Sequence, residues 1–124
     1  MVLALESLTL AVFSTLHLTG ALRIDSSKPS YGAGVAEALI CIALVAGTGA
    51  LLRSPARGQR AALSAVGFAI VGFLVGLSFT LRSGEAVDLA YHLVMLPVLA
   101  GTALLLVTTS KKPGTPAPGR ATGT

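Results

Sequence analysis

Charge is scarce in this sequence. Only 11% of its residues are Asp, Glu, Lys or Arg, against about 25% in a soluble globular domain. Most of its surface therefore cannot face water. Cysteine is scarcer still: a single Cys41 excludes an intramolecular disulfide and leaves the redox compartment open. The nine basic residues, with a net charge of +4, form no dense patch and are not interleaved with aromatics. That distribution points to membrane topology rather than to nucleic acid. The sequence contains no catalytic or nucleotide-binding motif and no local metal-ligand motif of the HxxxH or CxxC kind. Its first residues, Met-Val-Leu-Ala-Leu-Glu, lack the basic n-region of a secretory signal, and no Ala-x-Ala-like site follows. The first apolar stretch is therefore expected to be a retained helix.

What is present is apolar: 53% of residues are hydrophobic and the mean hydropathy is +0.82. Ionisable residues delimit four windows, 2–22, 32–52, 61–81 and 89–109, each 21 residues long. At about 1.5 Å per residue each spans roughly 31 Å, the thickness of a hydrocarbon core. The windows lack the alternating polarity of membrane strands, and lipid obliges the backbone to satisfy its own hydrogen bonds, so helices follow. Short connections at 23–31, 53–60 and 82–88, carrying Pro29, Ser54, Pro55, Gly58 and Ser83-Gly84, force neighbouring helices to run antiparallel. The expected fold is all-α, an integral membrane up-down-up-down four-helix bundle in one domain, 1–109. The Pro/Gly/Thr-rich tail, 110–124, is expected to be disordered.

Orientation follows from the basic residues. Arg53, Arg57, Arg60, Lys111, Lys112 and Arg120 fall on one side, and Arg23, Lys28 and Arg82 on the other. The positive-inside rule then places both termini in the cytoplasm of a cell with this protein in its plasma membrane. Tyr31 and Tyr91 fall near the outer boundary, where amphipathic rings are favoured. Small residues are expected to let helices approach: Gly72 and Gly76 in the third span, Ala43 and Gly47 in the second. The same GxxxG spacing serves a homodimer or the inside of a single bundle.

Ionisable residues within a span cost about 2.5–3.5 kcal/mol at mid-membrane on insertion scales, so each needs a reason. By helical rise His17 and Glu37 lie about 9 Å below the outer boundary and His92 about 6 Å below it. Ser78 and Thr80 fall at the same level. Asp88 and His92 share a face, so the carboxylate is placed to orient the imidazole, with Tyr91 beside it. Pro97 leaves the Leu93 carbonyl without its helical donor, and a kink is expected there. Glu37 and Cys41 also share a face. Glu6, Leu10, Phe13 and His17 form a heptad stripe, but Glu6, near a helix start, is expected to reach the interface and suit the helix dipole.

This layer admits several uses. Glu37 paired with His17 or His92 fixes helix register. The same residues serve a proton relay or a small ligand pocket. His17, Glu37, His92 and Cys41 or Asp88 are donors suited to zinc, copper or iron, and His17 with His92 is a bis-histidine haem arrangement. Cys41 alone is more simply a packing residue.

The stretch GFAIVGFLVGLSF, followed by Asp88-x-x-Tyr91-His92, together with Tyr-Gly-x-Gly-Val-Ala-Glu at 31–37, resembles a pattern in small four-span membrane proteins of high-GC bacteria that have no assigned function. The resemblance covers the second to fourth spans. It implies the same architecture and points to Glu37, Asp88, Tyr91 and His92, but implies no activity. The functional expectation is a non-enzymatic accessory or interaction subunit without a cofactor, whose partners are lipid, further copies or a larger membrane complex. The alternatives are a proton-coupled or metal-handling transporter and a haem- or copper-binding redox subunit.

Overall fold

The computed structural model describes residues 2–21, 31–83 and 86–109. They form four helices: α1 (Val2–Leu18), α2 (Tyr31–Arg53), α3 (Pro55–Ser83) and α4 (Ala86–Thr109). The fold is all-α, as the charge-free windows require. Side-chain pairs give the direction of every neighbour. His17 meets Glu37 and Cys41 meets the Ser7 carbonyl. Gly47 lies against Ala62 and Ala65, and Gly72 against Ile40. Thr80 meets Asp88, and Gln59 meets the Leu106 carbonyl. In each set residue numbers rise on one helix as they fall on the other, so the bundle is up-down-up-down. Each helix packs on its neighbours in sequence, and α1 meets α4 to close the ring, though their backbones approach only sparsely.

The bundle is apolar outside, and it buries ionisable and hydroxyl side chains among the apolar residues of its core. Leu5, Leu8, Ile42, Leu74, Phe79 and Leu104 are exposed, whereas Glu6, His17, Glu37, Asp88, His92 and Thr102 are buried. A water-soluble bundle has the opposite arrangement. Hydroxyls on the exposed face bond their own helix: Thr9 to the Leu5 carbonyl, Thr15 to Ala11 and Thr108 to Leu104. Each of these donors is thus paired within its own helix, as lipid requires. α2, α3 and α4 are long and apolar enough to cross a membrane.

Several boundaries differ from the expected ones. α1 has 17 residues rather than 21, about 25 Å by helical rise, at the short end of a spanning helix. It stops because Thr19 and Gly20 fold back on the Thr15 and His17 carbonyls. Gly20 takes φ 71°, a left-handed cap that suits glycine. Leu22, the last residue of the expected window, lies outside the described residues, as do the tail and residues 23–30 and 84–85; the connection expected over 82–88 is shorter, since Arg82 and Ser83 belong to α3 and Ala86, Val87 and Asp88 to α4.

The middle connection, expected over 53–60, contracts to Ser54 alone. Arg57, Gly58 and Arg60 belong to α3. Pro55 is at the first helical position, where its missing N–H and fixed φ cost nothing. The Ser54 N–H donates to the Ala50 carbonyl while its own carbonyl accepts from Gly58 N–H at 2.6 Å, so one residue ends α2 and begins α3. The two helices are so close here that a Cβ at Gly58 would strike the Ala50 backbone.

Gly72 and Gly76 are engaged inside the bundle, against Ile40 of α2 and His92 of α4. Of the two uses open to this GxxxG, packing inside a single bundle is the one seen.

Candidate functional site

At the end of the bundle where α1 meets α2 and α3 meets α4, polar side chains from all four helices enter the interior. Helix α1 brings His17, which is 2% exposed, to Glu37 of α2. The imidazole Nδ1 lies 2.8 Å from Oε2 of the carboxylate. One turn earlier the Ser14 hydroxyl donates to the Gly34 carbonyl at 2.8 Å. That approach needs the glycine, because a Cβ at Gly34 would fall 2.8 Å from the Leu18 side chain. The His17–Glu37 pair is thus flanked by the close approach of α1 to the Gly34 backbone.

On the opposite side, Thr80 of α3 donates to Asp88 Oδ2 at 2.5 Å. His92 places Nδ1 2.8 Å from the Asp88 backbone carbonyl and 3.5 Å from Oδ1. The carboxylate orients the ring less than expected: the carbonyl holds the imidazole and the threonine holds the carboxylate. With Nδ1–H donating to a carbonyl, Nε2 keeps its lone pair. It points at Gly76, which has no side chain to block it.

Tyr91 lies between the two groups. Its ring stacks on Phe13 at 3.8 Å and 7° and tilts against Phe73 at 5.4 Å. His92 packs on the same Phe73 at 5.2 Å. Tyr91 was expected at the interface; it is buried, because Phe13 on the heptad stripe of α1 offers a ring to stack on. Its hydroxyl has no hydrogen-bond partner among the described residues, but it is within electrostatic reach of Glu37, Asp88 and Cys41. Tyr31, by contrast, is exposed.

The remaining candidates divide. Thr80 joins the layer, but Ser78 faces outward and bonds the Val75 carbonyl of its own helix. Cys41 gives its thiol to the Ser7 carbonyl at 3.2 Å, a packing role. His17, Glu37, Cys41 and His92 are not gathered into one set: among the described residues no three His, Cys, Asp or Glu side chains are close enough to hold a metal ion. α4 runs on as one helix through Pro97.

One residue pair escaped the sequence reading. Glu6 does not reach the interface: it is 3% exposed, and Thr102 of α4 donates to its Oε1 at 2.5 Å. Two cues were present. Glu6 stands on the stripe of Leu10, Phe13 and His17, and Thr102 is three residues beyond the fully buried Leu99.

No family model, curated protein or solved structure matches this chain.

Proposed function

We propose that this chain is a small, non-enzymatic accessory or interaction subunit of a bacterial plasma membrane, with both termini in the cytoplasm and its acid–base layer serving to fix the helices against one another. The observation that carries this reading is the His17–Glu37 pair, 2.8 Å apart and buried. An acid and a base that satisfy each other inside a bundle lock one register, because every alternative packing strands a charge in a low-dielectric interior. The Thr80–Asp88–His92 group does the same between α3 and α4. The orientation rests on six basic residues against three. Cysteine placed at Arg57 should be labelled only from the cytoplasmic side.

A second reading, proton-coupled transport, is favoured by the Tyr91 hydroxyl, buried without a partner near Glu37 and Asp88. Reconstitution of the full chain in liposomes separates the two. A structural layer predicts that Glu37→Gln lowers the melting temperature and that neither protein dissipates a pH gradient. A gradient collapsed by the wild type but not by folded Glu37→Gln protein would establish transport instead.

A further inference from the structure

The His17–Glu37 layer leaves one ionisable group unused. Glu6 lies at the other end of the bundle. By register, the belt of Leu10, Leu44, Ala69 and Leu99, all 0% exposed, stands seven residues, about 10 Å, from His17, Glu37, Gly76 and His92 respectively. Glu6 lies beyond that belt. Its Oε1 accepts from Thr102, while Oε2 is buried and has no hydrogen-bond partner among the described residues.

We propose that Glu6 is a proton-binding site, taking and releasing a proton on Oε2 while Thr102 holds Oε1. A carboxylate oxygen stripped of water and left without a donor is among the most costly groups to bury. Three other ways of satisfying it fail on the geometry. Among the described residues a cationic side chain is lacking: only burial and the Thr102 hydrogen bond act on Glu6. The side chain bound to it is Thr102 of α4, and the Cys41 thiol that α2 brings to this part of α1 is already given to the Ser7 carbonyl. α3 carries no ionisable side chain between Arg60 and Arg82.

A metal cation needs several oxygen ligands, and no group of three candidate ligands exists among the described residues. A partner protein cannot touch a side chain that is 3% exposed. On the faces Glu6 and Thr102 share stand Leu3, Leu10, Leu99 and Leu106, all buried and apolar. A proton needs no coordination shell, and it turns a charged oxygen into a neutral acid that this setting tolerates.

Infrared titration of the full-length protein in liposomes tests this. A protonated carboxyl has a carbonyl stretch above the amide bands, which should fade as pH is raised. The population of the acid should fall about ten-fold per pH unit beyond the midpoint. The band should be lost in Glu6→Gln and kept in Glu37→Gln. Thr102→Val, which keeps the acid and removes its hydrogen bond, should shift both band and midpoint. That variant gives an independent reading if Glu6→Gln does not fold. The proposal is overturned if the wild type shows no such band at any pH, or if the band ignores Thr102→Val. It is equally overturned if the band survives Glu6→Gln and moves instead with Thr80→Val, which would assign it to Asp88.

Discussion

At the scale of single residues, the bundle is organised by the cost of polar groups in lipid. His17 and Glu37 answer that cost together, so removing either should cost more than removing both. The double-mutant cycle of His17→Phe and Glu37→Leu, read by unfolding in mixed micelles, should return a coupling of roughly 0.5–3 kcal/mol. A coupling indistinguishable from zero would mean that the 2.8 Å contact does not hold the helices.

Residues of this kind are legible in the sequence because charge in an apolar window stands out: His17, Glu37 and His92 show themselves that way, and Asp88 by its spacing of four from His92. Their partners are not. Threonine carries no such signal, so Thr102 was missed and Glu6 was assigned to the interface by its nearness to a helix start. Ser78 and Thr80 were given the same layer, yet residues two apart on a helix point to nearly opposite faces. Gly76, one turn before Thr80 on the inward face, is the residue that distinguishes them.

At the scale of elements, glycines set how closely helices approach, and their neighbours rank the damage an added methyl would do. Gly58→Ala should be worst, since the methyl meets the rigid Ala50 backbone. Gly76→Ala comes next, because the His92 ring it meets is held by a hydrogen bond and by Phe73. Gly72→Ala should be milder, as it meets the flexible end of Ile40. Gly67→Ala and Gly101→Ala meet nothing within 4 Å and should be neutral or slightly stabilising, by up to about 1 kcal/mol, through helix propensity. Thermal melts of the five proteins check this order.

The helices themselves are legible from long windows poor in charge. That same criterion hid the start of α3, because Arg57 and Arg60 were taken for a loop although Ser54-Pro55 is a helix-start signal. The length of α1 was hidden for the opposite reason: nothing charged interrupts 18–22, and only the left-handed turn at Gly20 stops the helix.

At the scale of the whole molecule, the four contacts of the ring are unequal. α2 and α3 are joined by a single residue and packed through Gly47, Ala62 and Ala65. α1 and α4 meet mainly through long side chains, the Phe13–Tyr91 stack and the Glu6–Thr102 bond. This inequality in space becomes an order in time. Local opening begins where close contacts are fewest, so the ring should part first between its first and last helices. Hydrogen exchange in micelles should release the amides of α4, which packs more sparsely on α3 than α1 does on α2, earliest and those of α2 and α3 last; equal protection throughout would refute that order. In a newly made chain the same hierarchy runs backward. The α2–α3 hairpin can assemble as soon as both segments are in the bilayer, while α1, although synthesised first, must wait for α4 before its carboxylate finds the threonine that receives it.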